Sequence, residues 1–171
     1  MIRGVSPPRS LRLLLSATLL TACSVTLAAA QGEGDYPGSL REVYGAYQAV
    51  LARREACMSA FALSRATSEK AYTAWHGRNK ALIAELDQRF AMMIRGASRD
   101  EREYARNVGK YEGAILKQRE EVKQELLQTA RPDLESLCQG LPDFLNSAES
   151  DLEKAYAEEL RVVRRRPLAI R

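Results

Sequence analysis

Apolar residues between Ser39 and Ser64 recur every three or four positions, which places them along one side of an α-helix. They are Leu40, Val43, Tyr44, Tyr47, Val50, Leu51, Cys57, Met58 and Phe61. Comparable stripes follow at 72–93, 104–126 and 145–163. No segment shows the two-residue alternation of a half-buried strand. The sequence therefore predicts an all-α fold with four long helices.

Capping and breaking residues suggest where these helices begin and end. Ser39–Glu42 and Ser98–Glu101 each fit a capping box, in which the serine and the glutamate satisfy free amides of the first helical turn. Gly96 suits the left-handed position that closes a helix. Pro132 ends the third helix. Pro142 suits the first turn of the last one.

Short connections force successive helices to run antiparallel. We therefore expect an elongated up-down four-helix bundle, with one short extra helix at Leu134–Cys138 before the last long one. The bundle domain covers residues 39–166 and ends in a basic tail at 167–171. The stretch 31–38, "QGEGDYPG", holds three glycines and a proline and predicts a flexible linker.

The first 30 residues have the pattern of an export signal. Arg3, Arg9 and Arg12 precede a short apolar run, Leu13–Leu20, which is too short for a membrane span. Ala28-Ala29-Ala30 before Gln31 fits the small-x-small cleavage site of signal peptidase. We expect a signal peptide over 1–30 and an exported protein that is periplasmic or secreted.

An alternative leader ends at Cys23. Leu20-Thr21-Ala22-Cys23 resembles the lipobox of bacterial lipoproteins, in which the cysteine is lipidated and becomes the new N-terminus. In that case the signal covers residues 1–22 and Cys23 anchors the protein to a membrane. The apolar residues after Cys23 speak against a polar lipoprotein tether, whereas cleavage after Ala30 needs a long apolar region. Both alternatives stay open, and we favour cleavage before Gln31.

The cysteine count predicts one disulfide under either alternative. Cys23 is removed or capped by lipid, so Cys57 and Cys138 remain, and an exported chain with two cysteines favours a bond between them. If helices one and two fold back near Ala66, helix three carries the chain away and returns it. The segment after Pro132 then arrives where helix one ends, and Cys138 can reach Cys57.

Charge and motifs exclude several functional classes. The leader carries three arginines and no acid, so about 23 basic and 22 acidic residues remain, and nucleic-acid binding loses its main support. The chain has one histidine, His76, and no Cys-x-x-Cys-His, G-x-S-x-G, Walker A or dinucleotide motif. We expect a non-enzymatic protein with no cofactor and no metal site. Membrane contact is expected only through a lipid anchor or the basic C-terminal tail.

The most unusual segment is "YTAWHGRN", Tyr72–Asn79, with the chain's only tryptophan and histidine. A glycine follows inside the predicted helix at a cost of about 1 kcal/mol relative to alanine, which suggests close packing or the approach of a ligand. The candidate binding residues are Trp75, His76, Arg78 and Asn79. The simpler interpretation is that Trp75 is core, that His76 lies on the flank of the stripe and that Gly77 lets a neighbouring helix approach. Arg78 and Asn79 then face solvent or form local hydrogen bonds.

Cys57, Tyr72, Trp75, Arg78 and Asn79 form a "C … Y-x-x-W-x-x-R-N" pattern on two successive helices. This pattern resembles that of some small exported proteins of Gram-negative bacteria. The resemblance covers the first two helices, implies an envelope location, and carries no assigned activity.

Two functional hypotheses follow. The first is a non-enzymatic envelope protein, a helical interaction or structural module that binds another protein or a cell-envelope component. The alternative is a carrier of a small molecule or cofactor with a site near Trp75.

The two leaders differ in the mature N-terminus. Cleavage before Gln31 leaves an unmodified chain that stays in the aqueous phase, whereas the lipobox alternative leaves Cys23 diacylglycerylated and in the detergent phase. Intact-mass analysis of the exported protein separates them. A chain that starts at Gln31 excludes the anchor.

Overall fold

Three long helices make up most of the computed structural model, which describes residues 35–62 and 65–168. The helices are α1 (Tyr36–Ala60), α2 (Arg65–Gly96), α3 (Glu101–Gln128), α4 (Arg131–Gln139), α5 (Leu141–Asn146), α6 (Leu152–Ala155) and α7 (Ala157–Arg164), with a 3-10 turn at Ala148–Ser150. No strand occurs in the described ranges, which confirms the all-α prediction. The predicted leader, including Cys23, lies outside the described residues.

The first helix begins earlier than the sequence suggested. Helix α1 starts at Tyr36. Residues 36–38 are therefore helical and not part of the predicted linker, and Ser39 lies inside the helix instead of capping it. Pro37 fits the first turn, where its missing N–H costs nothing. Tyr36 is buried, and the guanidinium of Arg166 lies 4.6 Å from the centre of its ring. Packing against the far end of the chain therefore orders this stretch.

The start of α3 is capped by Asp100 rather than by the predicted Ser98. The Asp100 carboxylate accepts a hydrogen bond from the Glu103 amide at 2.8 Å. Glu103 in turn accepts from the Arg99 amide at 2.8 Å. The Ser98 hydroxyl instead donates to the Ile94 carbonyl at 2.7 Å. The reciprocal capping pair is thus shifted two residues along the chain. Helix α2 ends at Gly96 as predicted, but Gly96 does not adopt the expected left-handed conformation.

The last long helix predicted from the sequence is wrong. Residues 141–164, which we call the C-terminal segment, form α5, the 3-10 turn, α6 and α7 instead. The Ser150 hydroxyl donates to the carbonyls of Leu145 and Ser147, and the Asp151 carboxylate caps α6 through the Lys154 amide. Serine and aspartate side chains compete in this way with the backbone bonds of a continuous helix.

The core lies between α1, α2 and the C-terminal segment. Helix α1 contacts α2, α3 and α7, and α2 contacts α5. The largest fully buried side chains include Trp75, Leu40, Leu86, Leu141, Leu145, Leu152 and Leu160. Three of these, Leu145, Leu152 and Leu160, belong to the predicted inward stripe of the last helix, and so does the buried Val163. The stripe also included Ala148, which is exposed, and Tyr156, which is only partly buried. Helix α3 differs from the other long helices, since none of its residues is buried.

The structure confirms the predicted Cys57–Cys138 disulfide, which joins α1 to α4 across 81 residues. Both cysteines are buried. Within residues 35–62 and 65–168, no helix is both long enough and apolar enough to cross a bilayer.

Removing the disulfide should lower the free energy of unfolding. Closing a loop of this length is worth about 4.5 kcal/mol in the chain-entropy model, a large part of the stability of a domain of this size. A Cys57→Ala/Cys138→Ala variant should therefore unfold at a much lower denaturant concentration than the oxidised protein. Urea unfolding monitored by circular dichroism measures the difference. A loss below about 1 kcal/mol would contradict this entropic role.

Candidate functional site

The predicted candidate residues Trp75 and Asn79 lie inside the protein, against the C-terminal segment. Trp75 is 0% exposed, and its indole Nε1 donates to the Ser150 carbonyl at 2.7 Å. The Asn79 amide nitrogen donates to the Trp75 carbonyl at 3.0 Å, and its oxygen accepts from the Leu152 amide at 3.3 Å. Both side chains therefore satisfy backbone groups where the C-terminal segment is irregular.

The other two candidates, Arg78 and His76, flank this contact. Arg78 donates from Nη2 to the Leu145 carbonyl at 2.6 Å. His76 is partly buried, and its ring lies 5.8 Å from that of Tyr72. Of the four candidates, Trp75, Arg78 and Asn79 thus bind the C-terminal segment of the same chain. The structure brings them together as an anchor for that segment.

Three of the glycines in the middle of α2 and α3 are not close-packing positions. A Cβ atom added at Gly77, Gly109 or Gly113 would meet no heavy atom within 4 Å. The interpretation of Gly77 as the place where a neighbouring helix approaches is therefore wrong, and Gly109 and Gly113 serve no packing contact among the described residues.

A second anchor, which the sequence analysis missed, is formed by Arg89. This residue is only 4% exposed. Its Nη1 donates to the carbonyls of Val163 at 2.9 Å and Arg166 at 2.8 Å, and its Nε donates to Glu85 at 2.8 Å. A signal was present in the sequence, because Arg89 lies three positions after the buried Leu86 on the apolar stripe of α2. A charge on such a stripe must find buried partners.

Glu85 also binds Arg164 of α7, with Nη2 of the arginine at 2.8 Å from the carboxylate. Burial raises the pKa of Glu85, but hydrogen bonds from Arg164 and Arg89 outweigh this, and the pKa is lowered overall. Arg164 bonds Glu153 as well, and the hydrogen bonds to Glu153 and Glu85 raise its pKa. Two of the C-terminal arginines, Arg164 and Arg166, therefore make internal contacts with α2 or α1. Residues 169–171 of the predicted basic tail lie outside the described residues.

A cavity of about 410 Å³ lies between α1, α3 and the C-terminal half of the structure. We call it the Arg53 cavity. Its walls include Val122 and Leu126 of α3, Phe144 of α5 and Tyr156 after α6. Arg53 is the cationic residue of this wall, and burial lowers the pKa of its guanidinium.

On the other side of α3, a groove of about 240 Å³ runs between α2 and α3. Tyr44, Phe90, Tyr104 and Ile115 line it. Burial, followed by the charge of Asp87, raises the pKa of Tyr44 to about 12. The phenol is therefore neutral, and the groove presents an aromatic, uncharged wall beside the Asp87 carboxylate.

The outer part of α3 exposes large apolar side chains. Leu116 is 54% exposed and Tyr111 is 39% exposed. Along the exposed side of this helix, Arg102, Arg106 and Lys110 precede Leu116, whereas Glu120, Glu121 and Glu125 follow it. The first of these sets forms a basic row, whereas Glu120 and Glu121 are paired with Lys123 and Lys117 of the same helix. Each half of α3 holds three basic and three acidic residues in all.

Within the part of the chain that the structure describes, no group of three His, Cys, Asp or Glu side chains is placed to hold a metal ion. No protein-family model, curated protein or solved structure matches this chain.

The anchoring role of Asn79 predicts a loss of stability on truncation. Asn79→Ala leaves the buried Leu152 amide without its acceptor, at a cost of about 1–3 kcal/mol for an unsatisfied buried group. Arg102→Ala, at an exposed position of α3, is the matched control and should change stability by less than about 0.5 kcal/mol. Thermal unfolding compares the two. Equal stabilities would show that Asn79 does not hold the C-terminal segment.

Proposed function

We propose that this protein is an exported, non-enzymatic helical module of the cell envelope that binds another protein through the outer side of α3. The observation that supports the proposal is the solvent exposure of this helix. It has 28 residues, none of them buried, and it exposes Leu116 at its centre. A long helix that leaves apolar surface uncovered provides an area that a partner can bury.

A row of basic side chains on α3 defines the partner further. Arg102, Arg106 and Lys110 are exposed, follow one another at four-residue spacing and precede Leu116. A complementary partner places acidic groups opposite this row and an apolar contact at Leu116. Such complementarity contributes mainly to specificity and association rate, while the apolar centre contributes affinity.

Export is supported by the cysteines and by the leader. The buried Cys57–Cys138 bond suits an oxidising compartment such as the periplasm or the extracellular space. The basic and apolar pattern of residues 1–30 agrees with this. A lipid anchor at Cys23 remains the alternative mode of attachment.

We also propose that the domain is an up-down bundle whose fourth element is the broken C-terminal segment. The short connection between α1 and α2 favours antiparallel packing of these two helices. The contacts of α1 with α2, α3 and α7 support a bundle arranged around α1.

Site-specific photocrosslinking in the exporting host tests the proposed surface. A photoreactive amino acid at position 116 should give a covalent adduct with a defined polypeptide, because this side chain points to solvent at the centre of the surface. The same amino acid at the exposed position 74 of α2 is the control.

A charge reversal adds a second measurement. Arg106→Glu should weaken the adduct at position 116 without changing the unfolding temperature, because Arg106 is exposed. Absence of an adduct at 116, or equal adducts at 116 and 74, would contradict the proposed surface.

A further inference from the structure

We propose that the Arg53 cavity binds a monocarboxylate amphiphile, a molecule with one carboxylate and an apolar chain, and that Arg53 holds the carboxylate. This site is distinct from the outer side of α3, and it goes beyond the protein-binding function proposed above. Its volume, about 410 Å³, falls within the range of small-molecule sites, about 300–1,000 Å³.

Arg53 is a partly buried cation whose hydrogen-bonding capacity is not fully used. Its Nη2 donates to the Leu137 carbonyl at 3.1 Å, and its guanidinium lies 4.5 Å from the centre of the Phe144 ring. Its Nε is buried and has no hydrogen-bond partner. Among the described residues, no carboxylate lies within ion-pair distance of this guanidinium, whereas Arg54 next to it binds Glu69 at 2.6 Å. The guanidinium of Arg53 can therefore still accept an anionic partner.

The walls of the Arg53 cavity are mainly apolar. Val122, Leu126 and Leu137 are aliphatic, and Phe144 and Tyr156 add aromatic surface. Such walls favour an apolar chain, whose burial is worth about 25 cal/mol per Å² of surface removed from water. A guanidinium at one wall adds directional hydrogen bonds to a carboxylate. Together these groups match an amphiphile with a single anionic head.

One acidic side chain also belongs to the cavity. Glu149 lines the cavity as well, and it is exposed to solvent. Its negative charge repels an anionic ligand, so a ligand with more than one anionic group is disfavoured. Neutralising this residue should therefore strengthen binding, which is the opposite of the effect expected at Arg53.

The Cys57–Cys138 disulfide makes the site rigid. Arg53 lies one helical turn before Cys57, and its hydrogen-bond acceptor, Leu137, precedes Cys138. The disulfide therefore fixes the distance between the helix that carries the guanidinium and the helix that orients it. A site held in this way loses little conformational freedom when a ligand binds.

Calorimetric titration of the oxidised protein with laurate, below its micellar concentration, tests the proposal. One laurate should bind per chain, and dodecyltrimethylammonium, which has the same chain and a cationic head, should bind on the order of tenfold more weakly or not at all. Arg53→Met should weaken laurate binding on the order of tenfold or more, because it removes the charge and keeps an apolar stem. Glu149→Gln should strengthen it.

Two control variants protect the test from effects on folding. Ala49 lines the cavity at an exposed position of α1, so Ala49→Phe should block laurate without removing any hydrogen bond. Ala74→Phe, at an exposed position of α2, and Arg102→Met on α3 should leave the affinity unchanged. The proposal is overturned if laurate does not bind, if both head groups bind equally, or if Ala49→Phe and Arg53→Met both bind like the unaltered protein.

Discussion

The fold depends on hydrogen bonds that side chains of α2 make to backbone groups of the C-terminal segment. A continuous helix satisfies its own carbonyls, but a segment broken at several points leaves them unpaired, and burying them without partners is costly. Trp75 supplies a donor to Ser150, Arg78 to Leu145 and Arg89 to Val163. Asn79 supplies an acceptor to Leu152. Side chains of α2 thus fix the conformation of the C-terminal segment.

This arrangement explains which parts of the structure could be predicted from the sequence. Periodicity identified Leu145, Leu152 and Leu160 as core residues, because the direction of a side chain survives a local break in the helix. Cysteine counting and short connections led to the Cys57–Cys138 bond. The break itself could not be foreseen, since serine and aspartate inside a helical pattern become breakers only when tertiary donors replace the lost backbone bonds.

The candidate residues illustrate the same limit. The unusual composition around Trp75 was a true signal, but what it marked was an internal polar contact. Tryptophan, asparagine and arginine close together in sequence can form either an internal polar contact or a ligand-binding site. Here Trp75 donates to the Ser150 carbonyl of the same chain, which identifies an internal contact. The sequence does not show that residue 150 lies beside Trp75. Arg53 was missed because the sequence analysis identified the buried side of α1 from apolar residues alone. Yet it lies between Val50 and Cys57 on the buried side of α1, where an unpaired cation is the exception.

Helix α3 links the two proposals physically. It contributes Val122 and Leu126 to the Arg53 cavity and Leu116 to the outer surface, and no residue along its length is buried. Helix α3 packs extensively on α1, but all its side chains stay at least partly exposed, so we expect it to open locally at a smaller free-energy cost than α1 or α2. If both proposals hold, a ligand in the Arg53 cavity would add apolar contacts to the second half of α3 and restrict its motion. The proposed partner would then bind more tightly when the cavity is filled, and by reciprocity it would strengthen binding in the cavity.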